Sequence, residues 1–246
     1  MAYLFGAWNE SFDIEVHLIV CKRRECAAAK RSFVMKVVLY GATGKSGKVI
    51  LKELVDRGHT VVAVARNPQS VDKLANVSVV QDDLTNVAKT AQILKDANAD
   101  AVVSALGPPL DNTDALLPIS ANLVEAIKQN SGPRLVVVGG AGGLFVAPGV
   151  TLRDSGYLPE SYLPIVDTHI KLYNSLKNST GITWTYFAPA GFFEPGERTG
   201  KFRLDTDNLV ADAQGNSRIS FEDYAIALVN ELEAPKHLNQ RFTIGY

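Results

Sequence analysis

From Met35 onward, short apolar runs alternate with stretches in which apolar residues recur every three or four positions. The runs 36–40, 60–65, 77–80, 101–104, 134–138 and 183–187 have strand length and are rich in valine, as strands covered on both faces are. Between them, 48–57 carries Ile50, Leu51, Leu54 and Val55 on one helical face and stops at Gly58. Leu116, Ile119, Leu123 and Ile127 line a second helix before Ser131-Gly132-Pro133, and Ile170, Tyr173 and Leu176 line a third before Gly181. Strand and helix in this alternation build βαβ units. The expected fold is therefore α/β, a doubly wound, mostly parallel sheet with helices on both faces and a small substrate-side region near the C-terminus.

Residues 1–34 break the pattern. Cys21-Lys22-Arg23-Arg24-Glu25-Cys26 and Lys30-Arg31 interrupt a short mixed run without caps or turn signals, and Leu18-Ile19-Val20 precede the basic cluster, the reverse of a secretory signal. The segment reads as a leader or an upstream start, with an added amphipathic element as the alternative. Residues 35–246 then form one domain.

Composition narrows the function. Of 246 residues 46% are hydrophobic and 21% charged, and the net charge of -1 offers no basic excess for nucleic acid or an anionic membrane. The cysteines Cys21 and Cys26 match neither a redox nor a zinc spacing, which favours a reduced, cytoplasmic setting and no metal. No nucleic-acid or membrane partner is expected, and the expected state is a monomer or homodimer.

The chemistry centres on V-V-L-Y-G-A-T-G-K-S-G-K-V-I at 37–50. A strand, a glycine turn and a helix start follow in the order a dinucleotide needs. Gly41 makes the turn, Gly44 lets backbone approach a pyrophosphate, Gly47 lets helix pack on sheet, and Thr43, Lys45 and Ser46 add hydrogen bonds or charge at the helix N-terminus. A P-loop would need glycine at 39, where Leu39 stands, so the nucleoside-triphosphate reading fails. The sheet is thus of Rossmann type, and its ligand should lie beyond the carboxyl ends of the strands.

Residues following each strand have separate readings. Arg66 lies about twenty residues past the last glycine, where an acid would take the ribose 2′-hydroxyl; a guanidinium there suits a 2′-phosphate, so NADP(H) is favoured over NAD(H). Asp83 can accept from the adenine amino group and Leu84 can pack on the ring, although two aspartates capping the next helix would look the same. Ala105, Leu106 and Gly107 would let backbone pass the nicotinamide ribose. Gly139 and Gly140 permit close approach of a flat ring, and Pro189, Ala190 and Gly191 begin an apolar wall, ending at Phe193, for the nicotinamide face.

These residues, together with D-T-H-I-K at 167–171, F-F-E-P-G-E-R-T-G at 192–200, R-I-S-F-E-D-Y-A at 218–225 and R-F-T at 241–243, resemble a family. It is the atypical short-chain dehydrogenase group of NADH-flavin reductase-like, NmrA-like and biliverdin reductase B-like proteins, and the resemblance covers about residues 35–246. It implies hydride transfer from NAD(P)H to a flavin, quinone or similar planar acceptor, or, alternatively, an NADP(H)-binding redox sensor with little catalysis. The Ser-Tyr-Lys set of ordinary short-chain dehydrogenases is incomplete. Gly139 stands at the serine position, Asp167 near the tyrosine position and Lys171 near the lysine position, while Tyr173 and Lys177 form a Y-x-x-x-K lying too late in the helix. The candidate catalytic residues are His169, as proton source beside water, and Lys171.

A chain beginning at Met35 is expected to fold and bind cofactor as the full chain does. Thermal melting and cofactor titration of the truncated protein check this; a melting temperature lower by tens of degrees would make residues 1–34 integral.

Overall fold

The computed structural model describes residues 34–246 apart from Ser131, so the expectations for 1–33 lie outside the described residues. β1 (Lys36–Tyr40) leads into α1 (Lys45–Asp56), followed by β2 (Thr60–Ala65), β3 (Val77–Gln81), α2 (Val87–Ala97), β4 (Ala101–Ser104), α3 (Leu116–Lys128) and β5 (Arg134–Val138). A hairpin of β6 (Phe145–Ala147) and β7 (Val150–Thr151) precedes α4 (Leu163–Lys177) and β8 (Trp184–Ala188). The chain closes with β9 (Phe192–Glu194), β10 (Arg203–Asp205), β11 (Arg218–Ser220), α5 (Phe221–Glu233) and β12 (Gln240–Gly245).

Eight strands make one sheet in the order β10-β12-β8-β5-β4-β1-β2-β3, parallel throughout except for β10 against β12. The first six parallel strands thus follow the Rossmann order, with the switch point between β1 and β4. Side chains alternate across β1. Val37 and Leu39 join Ile50, Leu51 and Leu54 of α1 and Tyr224, Leu228 and Leu232 of α5 on one face. Val38 and Tyr40 join Leu94, Leu123, Ile127, Leu172 and Leu176 from α2, α3 and α4 on the other. With both faces covered, β1, β4 and β5 can be apolar along nearly their whole length, which is why their runs were readable.

The differences from the sequence reading are physical. The sixth run is displaced by one residue, to Trp184–Ala188, and α1 begins at Lys45, three residues before its apolar period becomes visible, because Lys45, Ser46 and Gly47 bring no apolar side chain. The periodicity also left α5 unread. Ten of its thirteen residues are buried, so it lacks the polar face from which a helical period is recognised. Among the described residues no helix is long and apolar enough to cross a membrane.

The C-terminal segment is tied down at Ser220, the N-cap of α5. Its Oγ accepts from the Asp223 amide at 3.0 Å and from the Tyr246 hydroxyl at 2.9 Å, and donates to the Glu197 carbonyl at 2.8 Å. Ser220→Ala should lower stability by about 1–2 kcal/mol. Urea denaturation should show an earlier midpoint at unchanged slope.

Candidate active site

The turn between β1 and α1 is built by contact between glycines. Gly41 takes φ +81°, and a Cβ there would overlap the Ala105 carbonyl; a Cβ on Gly47 would overlap the Gly41 carbonyl oxygen. Helix α1 therefore starts directly against the end of β1. Gly44 is its N-cap without a side-chain cap, and the amides of Lys45, Ser46 and Gly47 have no acceptor among the described residues. Unpaired amides and the positive end of the helix dipole together suit a pyrophosphate. The side chains of Thr43, Lys45 and Ser46 have no partner among the described residues, so the cradle fits the dinucleotide that the sequence implies.

Neighbouring strand ends bring the other candidates alongside. Tyr40 is in register with Val64 and Ser104, and Ala65 with Gln81, so Gly41, Arg66, Ala105 and Asp82 follow adjacent strands. The exposed Arg66 guanidinium has no protein partner among the described residues. The two aspartates divide: Asp82 is buried and accepts from Thr90 Oγ1 at 2.8 Å, whereas Asp83 is exposed and accepts from the Thr85 amide and hydroxyl, bonds that hold its carboxyl below the usual range. Asn86, and neither aspartate, caps α2. Leu84 departs from its reading. It is 2% exposed, with its side chain in the core beside α3, so it has no face for an adenine. Ala105 and Leu106 are half-buried and Gly107 is exposed, leaving backbone accessible along that loop.

At the ends of β5 and β8 the structure rearranges the expected site. A Cβ on Gly139 would penetrate the ring of Tyr186, so the serine of ordinary short-chain dehydrogenases has no room. The Tyr186 hydroxyl accepts from the Gly140 amide at 2.9 Å and donates to the His169 carbonyl at 3.2 Å. Burial pushes that phenol far above its usual range, so it is a strut and does not act as an acid. The apolar wall at 189–193 is also corrected. Pro189 and Ala190 are buried, and Phe193 packs edge-on against Phe221 at 4.6 Å and tilted against Tyr224 at 4.7 Å. Only Gly191 and Phe192 remain on the surface, because the loop after β8 turns inward to cover α5.

His169 and Lys171, two positions apart on α4, face different sides, as about 100° per residue requires. Lys171 Nζ pairs with Asp114 at 2.9 Å, a mostly exposed bridge that Thr168 joins from the same side. His169 is 9% exposed and lines a cleft of about 580 Å³ beside α4. Burial lowers its pKa to about 4, so the ring is neutral near pH 7 and cannot serve there as an imidazolium proton source. Asp167, near the tyrosine position, is held below the usual carboxylate range by Arg153, which donates to it from Nε at 2.8 Å and from a terminal nitrogen at 3.2 Å.

The pair Tyr173 and Lys177 lies in the same cleft but does not form the activated couple of short-chain dehydrogenases. Lys177 Nζ sits 5.6 Å over the Tyr173 ring and the Arg241 guanidinium 4.8 Å from its centroid, while burial raises the phenol pKa. Sequence reasoning missed Tyr186, Arg153 and Arg241. Tyr186 sits inside an apolar run as any core tyrosine would, and the two arginines are distant in sequence from the helix they meet.

A family described as NAD(P)H-binding matches residues 41–235. The uncharacterized protein YwnB of Bacillus subtilis is 39% identical over 213 residues, covering 85% of this chain and 98% of that protein. A candidate epimerase of Bacteroides thetaiotaomicron has a similar structure, with TM-score 0.80 at 41% identity over 87% of this chain and 97% of that one. A candidate NADH-flavin reductase of Streptococcus pneumoniae gives TM-score 0.74 at 33% identity, covering 86% and 99%.

The buried neutral His169 makes stability pH-dependent. Its folded pKa of about 4 lies below the unfolded value near 6.5, so between these the unfolded chain binds more protons, and stability present above pH 6.5 falls as the pH drops towards 4. The full loss is about 3 kcal/mol. Urea unfolding at pH 7 and pH 4.5 should show wild type losing about 2 kcal/mol more than His169→Leu across that interval; equal losses would place a charged imidazole in the folded protein.

Proposed function

The chain belongs to the NAD(P)H-binding family, and from that premise we propose that it is an oxidoreductase using NADPH in preference to NADH to reduce a planar, electron-poor ring such as a flavin or quinone. The reading is carried by Arg66, a guanidinium without a partner among the described residues, one strand away from an open helix N-terminus. In this assignment Gly41, Thr43, Gly44, Lys45, Ser46 and Gly47 hold the pyrophosphate, Arg66 the 2′-phosphate and Asp83 the adenine amino group. Backbone of Ala105, Leu106 and Gly107 flanks the nicotinamide ribose, and Gly139 and Gly140 admit the ring.

When bound, the dinucleotide supplies a hydride, which the acceptor ring takes up together with one proton from water. The residues support this division of labour. No tyrosine stands at the Asp167 position, Tyr186 is a buried strut and His169 is neutral, so the protein contributes binding, orientation and a dry surface rather than a strong acid. Lys171, bound to Asp114, positions the loop after β4 against α4. The same lack of an acid also supports a second reading, a sensor of the NADPH/NADP ratio, which requires different affinities for the two cofactor forms.

Arg66→Ala should weaken NADPH binding by about tenfold to a hundredfold and leave NADH nearly unchanged, since a charge-assisted pair contributes roughly 1.5–3 kcal/mol and salt reduces it. Fluorescence titration of both reduced cofactors into both proteins checks this. Equal affinities in wild type would remove the NADP preference, and NADPH binding without turnover of FMN, FAD or menadione would favour the sensor.

A further inference from the structure

The reductase reading leaves the acceptor without a place, since Pro189, Ala190 and Phe193 of the expected wall are turned inward. The cleft beside α4 offers one. It is lined by Gly140, next to the end of β5, by Phe145 and Tyr186, and by the outer face of the helix as far as Lys177. His169, Tyr173 and Lys177 are spaced four residues apart, so they stand in a row on one helical face, one turn between neighbours.

All three present hydrogen-bond donors. Nδ1 of His169 is sealed in the interior with no partner among the described residues. An enclosed nitrogen without an acceptor is better left as a lone pair than as a stranded N–H, so the ring proton belongs on Nε2, the nitrogen that is not enclosed. The burial that keeps the ring neutral preserves this tautomer. The Tyr173 hydroxyl has no hydrogen-bond partner and Lys177 no carboxylate partner among the described residues. The three acids of the cleft are paired with arginines that line it too, Asp154 and Asp167 with Arg153 and Asp207 with Arg241, so they do not compete for the row of donors. A row of donors beside aromatic walls selects a flat ring that carries acceptor oxygens along one edge and no positive charge.

Resting on the reductase reading, we infer that this cleft binds the electron acceptor, a planar carbonyl-edged ring whose oxygen accepts from His169 Nε2–H. Charge that develops on that oxygen as the ring gains hydride is then stabilised by a neutral donor already in place. His169 acts on the acceptor by hydrogen bonding, and the proton that completes the reduction comes from water.

Three variants of the full chain test this: His169→Leu removes the donor, Tyr173→Phe removes one hydroxyl, and Asn174→Trp fills the exposed mouth without touching the core. With menadione as acceptor, each should raise KM about fivefold or more, and His169→Leu should also lower kcat, while NADPH affinity by fluorescence stays within about twofold. Unchanged menadione KM in Tyr173→Phe and Asn174→Trp would overturn the cleft and leave the reductase standing. Should wild type bind NADPH yet reduce no planar acceptor, the reductase reading falls on its own. The cleft is then decided by FMN fluorescence: quenching by wild type that Asn174→Trp abolishes upholds a planar-ring site, and no quenching, or quenching that survives Asn174→Trp, overturns it.

Discussion

Helix α1 begins against the carbonyl of Gly41, closer than any side chain at Gly47 would allow, and much of the site follows from that approach. It places an uncapped helix N-terminus at the point where the sheet changes direction, between β1 and β4. A helix set back by one side chain would carry its free amides away from the strand ends, and Arg66, Asp83 and the loop after β4 would then surround nothing. An uncapped N-terminus also forgoes the stabilisation of about 1 kcal/mol that a serine or aspartate cap brings. Chains that bind an anion there recover it from the ligand.

A second constraint holds the other side of the site. Glu53, buried in α1, accepts from Arg57 of the same neighbourhood and from both sides of the Arg198 guanidinium in the loop after β9. Burial raises its pKa, but the bonds from Arg198 and Arg57 outweigh this and keep it below its usual value. Arg57 continues to Glu233 and Asn230 of α5, and Glu233 to His59. Such buried ionic networks contribute little net stability once desolvation is counted, yet breaking one partner is costly, so their effect is to select one arrangement. Here that arrangement is the loop at 196–201 fastened over the seam of α1 and α5, with Thr199 and Gly200 bonded to Asp223. This explains why Phe193 is unavailable as part of a wall: it is the apolar floor beneath the fastened loop, while Phe192 stays exposed.

The parts of the fold legible in the sequence were those where local pattern and tertiary environment agree. Valine runs buried on both faces and a glycine turn with strict spacing carry their meaning in neighbouring residues, so β1, β2, β4, β5 and the turn from β1 into α1 could be read directly. Leu84 could not, because whether a leucine after a strand points to a ligand or to the core depends on a single backbone turn, here at φ +62°. Nor could the separation of His169 from Lys171, since D-T-H-I-K sets residue types but not which neighbour each side of the helix meets. Asp114, which claims Lys171, lies 57 positions away, and Tyr186, which supports His169 from below, lies 17 positions away.

Gly139 and Asp167, which stand where the resemblance places the serine and tyrosine of ordinary short-chain dehydrogenases, each fit the packing around them, Asp167 through its bonds from Arg153. The absence of a side chain at 139 leaves room for the Tyr186 ring, whose hydroxyl accepts from the Gly140 amide and donates to the His169 backbone carbonyl. The imidazole lies close over Gly140, and its burial keeps it neutral with Nδ1 enclosed. On the reductase reading proposed above, such a site offers a fixed dipole in place of the acid that an alcohol or ketone substrate needs, which suits a ring that accepts hydride readily. A serine placed at 139 would complete no such set, because it would have to expel Tyr186 and with it the hydrogen bond to the His169 carbonyl.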